Sequence, residues 1–242
     1  MIQTPRVEAD VEGLGKIVVC EYLPLDESLE KLNHEPLINF RDLAYAQIKE
    51  GVRTSLTKER GLVAEACIRI PNGPALFVRD SPILKDAKRA LDAETREEEF
   101  YLTQDEVNFY LEQAQEDSQK PVQKRRVLSI PGRKEVSRKY GKRTEGLKSL
   151  SARSDNQNKD FIDIVDWTLQ NLSPAYQRFV AENKGNLFIY LDDQERDVDI
   201  SYEENPLIKP FAKQMSYSSP WGIHGDTHCL NAGIEKVRIV KK

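Results

Sequence analysis

Residues 62–78 read Leu62-Val-Ala-Glu-Ala-Cys-Ile-Arg-Ile70-Pro71-Asn72-Gly73-Pro74-Ala75-Leu-Phe-Val78, and this stretch decides the fold class. Two apolar runs flank a four-residue break. Its Asn72-Gly73 supplies the positive φ angles of a tight turn, so the stretch predicts an antiparallel hairpin. Pro71 and Pro74 lack backbone donors, which places the hairpin at a sheet edge.

Toward the N-terminus, Gly15-Lys-Ile-Val-Val-Cys-Glu-Tyr-Leu23 is rich in β-branched residues and predicts an early strand. Asn39 can cap a helix in which Ala44, Ile48, Val52 and Leu56 recur every four residues beside Leu43, with Gly51 as a weak point. Toward the C-terminus, Ser81-Pro82 opens a helical stretch, because the N–H that proline lacks would be unpaired in a first turn anyway. Thr103-Gln-Asp-Glu106 is a capping box that starts a helix to about Asp117, with Val107, Tyr110, Leu111 and Ala114 facing inward. A helical pair follows at Asp160 to Leu172, with Ile162, Val165, Trp167 and Leu169 apolar, and at Pro174 to Glu182, closed by Lys184-Gly185. Strands at Leu187 to Leu191 and Ile234 to Val240 complete the set, the latter tying the end of the sequence into a sheet.

Helices and strands without a regular βαβ rhythm predict an α+β fold, mixed helices with a small, largely antiparallel sheet and a long basic loop. Three parts are expected: an N-terminal α/β part (1–119), a basic, mobile loop (120–157), and a helical pair plus strands (158–242) that joins the first part in one domain.

At 242 residues the chain can bury a real core. Apolar runs such as Lys16-Ile-Val-Val-Cys20 fall far short of the ~20 residues that cross a bilayer, so no membrane association is expected. The start, Met1-Ile-Gln-Thr-Pro5, has neither a basic nor an apolar leader region, which argues against a signal peptide. Cys20, Cys67 and Cys229 are an odd set at unpatterned spacings, as in a reducing, cytoplasmic compartment.

Charge is unevenly distributed. Between Lys120 and Arg153 stand twelve Lys or Arg against Glu135 and Glu145, a net +10 in a chain whose total is −4. Such a band is the electrostatic footprint of a surface that meets phosphate. Lys124, Arg125, Arg126, Arg133, Lys134, Arg138, Lys139, Lys142 and Arg143 are the candidate backbone contacts, and Tyr140 is placed to stack on an unpaired base. Directly upstream, residues 92–117 carry ten acids against Arg96, so the band could instead fold back on that helix or meet an acidic protein.

Trp221-Gly-Ile-His224-Gly-Asp226-Thr-His228-Cys229 gathers possible ligands for zinc or another divalent metal, with His224, Asp226 and His228 as the set. The plainer alternative is a Gly-rich loop anchored by Trp221 and Leu230, its histidines in ordinary hydrogen bonds. Asp192, Asp193, Asp197 and Asp199 follow a strand and read first as a solvated turn, with a magnesium site as the sharper alternative. No phosphate-binding Gly-x-x-x-x-Gly-Lys-Ser/Thr loop, Gly-x-Gly-x-x-Gly or Gly-x-Ser-x-Gly stretch occurs.

These features predict a nucleic-acid-binding protein, RNA or DNA, working within a nucleoprotein complex alongside protein partners. The alternatives are a metal-dependent hydrolase or nuclease using Asp192, Asp193, His224, Asp226 and His228, and an adaptor whose basic loop meets acidic protein.

Overall fold

The computed structural model describes residues 7–20, 37–51, 61–70, 73–96, 98–131, 138–139, 142–143, 150–190, 209–218, 221–227 and 237–241. Strands β1 (Val7–Val11) and β2 (Gly15–Cys20) lead to helix α1 (Phe40–Glu50) and to the expected hairpin, β3 (Gly61–Arg69) and β4 (Ala75–Val78). The short α2 (Pro82–Lys85), α3 (Ala87–Thr95), β5 (Phe100–Tyr101) and α4 (Gln104–Asp117) follow. A 3₁₀ turn at Val122–Lys124 then precedes β6 (Val127–Ile130), and β7 (Arg138–Lys139) pairs with β8 (Lys142–Arg143) as a separate ribbon. The remainder comprises β9 (Leu150–Ser151), α5 (Lys159–Leu169), α6 (Ser173–Glu182), β10 (Phe188–Tyr190), β11 (Phe211–Ser218), β12 (Gly222–Thr227) and β13 (Val237–Lys241). Among the described residues no helix is long and apolar enough to cross a membrane.

The architecture is α+β with a largely antiparallel sheet, as the sequence predicts. Its order runs β1-β2-β13-β3-β11-β12-β10-β9, with β4 and β6 continuing from β3 and with β5 against β11. The hairpin pairs Ala66 with Val78 through Arg69 with Ala75. It does not lie at an edge, because β4 sits between β3 and β6. Pro74 precedes the first paired residue, Ala75, so its missing donor costs no ladder bond.

Helices cover both faces of this part of the sheet, which explains why β3 is almost continuously buried. Val63, Cys67, Phe77 and Leu128 face a core with α1, α5 and α6, where Trp167 is fully buried against Phe77. Ala66, Ile68, Leu76 and Val78 face a second core with Val107 and Tyr110 of α4. Alternation of side chains along each strand divides the two sets.

Several helix ends differ from expectation in informative ways. Asn39 does cap α1, accepting from the Asp42 N–H at 2.8 Å, but the helix stops at Gly51, whose φ is +81°; Val52 and Leu56 lie outside the described residues. The Thr103/Glu106 capping box forms in both directions. Ile162 is 41% exposed on α5 although its neighbours Phe161, Val165, Trp167 and Leu169 are buried. At the end of α6 the left-handed residue is Lys184, with φ +58°. Gly185 instead makes room for an aromatic ring, since a Cβ there would lie 2.3 Å from the Trp221 Nε1.

Candidate functional site

Strand pairing brings three connections to one end of the sheet. β10 and β12 run parallel, with Tyr190 opposite His224. β9 is antiparallel to β10, with its first residue, Leu150, opposite Ile189. β11 is antiparallel to β12, and Gln214 lies opposite Thr227. Residues 191–208 therefore depart from Tyr190 and return before Phe211 at the same end, where residues 228–236 depart from Thr227 and residues 132–149 arrive at Leu150. The return is fixed by a hydrogen bond from the Leu102 N–H to the Pro210 carbonyl at 2.8 Å. By composition, 132–149 holds seven bases and two acids, and 191–208 seven acids and Arg196. Loops anchored on a rigid sheet are where binding residues concentrate.

The other end of β10 and β12 is locked by aromatic packing. The Trp221 ring stands edge-on to Phe179, 5.3 Å between centroids, and 6.3 Å from Tyr176. Its carbonyl accepts from the Phe188 N–H at 3.0 Å, and its backbone takes a left-handed φ of +82°.

Behind the loop-bearing end lies a buried polar junction. From Gln214 to Ser216 β11 advances two residues while its β3 partners run from Ala66 back to Leu62, so residues 63–65 bulge from the ladder. Such a bulge re-aims side chains and frees backbone groups that must find other partners. The Gln214 amide fills the gap, donating to the carbonyls of Val63 and, at 2.9 Å, Glu65, while its own carbonyl accepts from the Ser81 hydroxyl at 2.6 Å. The Ala64 N–H donates to the Ile38 carbonyl at 3.0 Å. Glu65 turns toward α1, where its two oxygens accept from the Phe40 N–H at 3.1 and 3.2 Å. Burial pushes its carboxyl up to about 7 against the opposing pull of the Phe40 N–H and Arg79, with Asp42 adding to the rise.

Glu65, Ser81 and Gln214 are each at most 2% exposed, so this cluster organises the scaffold and admits no substrate. The signal of its special place is present in the sequence: one carboxyl, Glu65, inside an apolar strand run.

The structure describes only part of the basic band. Lys124 is exposed. The Arg125 guanidinium donates to the carbonyls of Ser118 at 2.8 Å and Lys120 at 2.9 Å. Arg126 has Asp80 3.8 Å away. Arg138, Lys139, Lys142 and Arg143 form the β7–β8 ribbon, and Arg133, Lys134 and Tyr140 lie outside the described residues. His224 and Asp226 are on β12, while His228, Cys229, Asp192, Asp193, Asp197 and Asp199 lie outside the described residues. The Tyr190–His224 pairing sets the last described residue before Asp192 and Asp193 beside the strand that carries His224 and Asp226. Among the described residues no three His, Cys, Asp or Glu converge.

No family model and no curated protein matches the sequence. A solved structure described as showing accommodation of massive sequence variation in Nanoarchaeota by the C-type lectin fold is similar to it, with a TM-score of 0.57 and 13% identity over 93% of this chain and 94% of that one. This finding overturns the reading of the chain as a nucleic-acid-binding subunit, for nothing in the match speaks for nucleic acid. The hydrolase and adaptor alternatives are set aside with it. A physical reason lies in the band itself. A sum of charges along the sequence counts Arg125 as available, whereas its guanidinium donates to two backbone carbonyls. What the chain shares with its structural neighbour, and all that such low identity establishes, is the C-type lectin fold.

Proposed function

We propose that this chain is a ligand-binding protein: the sheet and its helices are a fixed scaffold, and residues 132–149, 191–208 and 228–236 form the recognition surface. The observation that carries the reading is the pairing of Leu150 with Ile189, Tyr190 with His224 and Thr227 with Gln214, which brings the arrival of the first connection and the departures of the other two to one end. The neighbour's description, massive sequence variation accommodated by this fold, supports a scaffold that tolerates change in such connections. In this reading Arg133, Lys134, Arg138, Lys139, Tyr140, Lys142 and Arg143 belong to the surface, as do His224, Asp226 and His228, whether or not they hold a metal. The odd, unpatterned cysteines support a cytoplasmic setting.

A displayed library tests this. Residues 192–199 and 229–233 are randomised, and the chains are sorted for folding, then for binding to panels of glycans and of proteins. Most members are expected to fold and to yield selectable binders. A library in which most members unfold, or in which folded members yield no binder to either panel, overturns the proposal.

A further inference from the structure

Two cations are almost closed off from water at the loop-bearing end of the sheet. Arg69 is 7% exposed and Lys213 4%. β11 pairs antiparallel with β3, Phe211 opposite Arg69 and Lys213 opposite Cys67, so both side chains leave the same face of the sheet from neighbouring strands. The Lys213 ammonium also lies over the Phe211 ring, 5.2 Å from its centroid. Like charges on diagonal positions repel each other, and burying either one is costly unless an anion accompanies it. The pair is therefore a seat for carboxylates.

Composition decides which of the three connections at this end can fill it. Residues 228–236 carry Glu235 against Lys236, and residues 132–149 are strongly basic. Residues 191–208 hold seven acids and Arg196, and they rejoin the sheet beside the seat, at Phe211. The point of return is fixed at Pro210, whose carbonyl accepts from the Leu102 N–H at 2.8 Å. Glu203 and Glu204, the last two acids of this connection, precede Lys213 by ten and nine residues.

We propose that Arg69 and Lys213 form the docking seat of the acid-rich connection, taking the carboxylates of Glu203 and Glu204. A guanidinium fork and an ammonium beside it suit two neighbouring carboxylates. The tie belongs to the root of the connection and lies outside residues 192–199, so that stretch can vary without touching it. The seat stands whether or not the connections bind a ligand.

Amine acylation of the intact, folded chain tests it, with the reactivity of Lys213 read by peptide mass spectrometry against that of the exposed Lys209. In the Glu203→Gln/Glu204→Gln variant the relative reactivity of Lys213 is expected to rise roughly tenfold, because its opening to solvent is no longer opposed by the carboxylates. In Asp197→Asn/Asp199→Asn and in Glu99→Gln it is expected to stay at the native level. An unchanged Lys213 in the Glu203/Glu204 variant, or an equal rise in either control, overturns the proposal. A double-mutant cycle between Lys213→Met and the same pair of glutamine substitutions, read by urea unfolding, gives an independent measure. The combined variant is expected to differ from additivity by roughly fivefold or more in the unfolding constant, and additivity overturns the seat. If Lys213→Met fails to fold, the acylation result decides, since none of its variants alters Arg69 or Lys213.

Discussion

Arg79 and Trp167 hold each other twice: the guanidinium lies over the indole, 4.5 Å from the ring centroid, and also donates to the Trp167 backbone carbonyl at 2.6 Å. A third party tightens the pair. The Arg125 carbonyl accepts from Arg79 Nε and from Trp167 Nε1, both at 3.1 Å, so the 3₁₀ turn before β6 is fastened to α5. A planar fork of donors over a ring face is something lysine cannot reproduce. Arg79→Lys should therefore cost about 2–3 kcal/mol, read as a shift in the urea midpoint with an unchanged slope. A loss under about 0.5 kcal/mol would show that the arrangement contributes little.

Glu65 gives stability a pH slope of a particular sign. Its carboxyl is pushed by burial from 4.5 up to about 7 in the folded chain. Between those values the folded state holds a proton that the unfolded state has released, so stability falls as pH rises through the window and levels off above it. The full effect is about 3 kcal/mol. Urea unfolding at pH 5 and pH 8 should show a decline attributable to this group in the native chain, and Glu65→Gln should remove it. An identical decline in both would assign the slope to other groups.

Asp117 works in the opposite direction. Burial pushes its carboxyl up, but Lys120 and the N–H groups of Val127 and Arg126 outweigh that and hold it below the ordinary aspartate range. Stability from this group is present above its unfolded value and lost as pH falls through the folded one. Its oxygens accept from Lys120 Nζ at 2.7 Å, from the Arg126 N–H at 2.5 Å and from the Val127 N–H at 2.9 Å. Asp117→Ala leaves two backbone donors at the start of β6 without their acceptor and should cost about 1–3 kcal/mol at pH 7. The difference from the native chain should shrink as pH falls below the ordinary aspartate range, as melting followed by circular dichroism would show.

Gly185 is required for space. A Cβ at that position would meet three atoms of the Trp221 indole at 2.3, 2.6 and 2.9 Å, and that ring is wedged against Phe179. Gly185→Ala should destabilise the chain by about 1–3 kcal/mol through overpacking, measured by thermal or urea unfolding. A neutral outcome would mean that the Trp221 side chain can move aside at no cost.

Much of the fold is legible in the sequence because local chemistry and tertiary placement agree. Asn72-Gly73 marks the β3–β4 hairpin, Thr103 and Glu106 mark the start of α4, and the β-branched run after Gly15 marks β2. Edge placement of the hairpin fails because a proline just outside a strand carries no penalty, and one inside does. The site is far less legible. Net charge along residues 120–153 cannot reveal that Arg125 turns back on the carbonyls of Ser118 and Lys120, since those partners belong to the turn conformation and leave no trace in composition. Nor can spacing show that Tyr190 and His224 are neighbours, because parallel pairing joins strands distant in sequence.

The position of β13 governs when the molecule can be completed. The β1–β2 hairpin reaches the rest of the sheet through β13, which pairs Arg238 with Cys20 on one side and with Leu62 on the other. During synthesis, then, residues 7–20 leave the ribosome about two hundred residues ahead of the strand that joins them to the rest of the sheet. Until β13 slides in beside it like a key piece closing an arch, the hairpin has no strand partner in the rest of the sheet and only the packing of Val11 and Ile17 into the core to hold it.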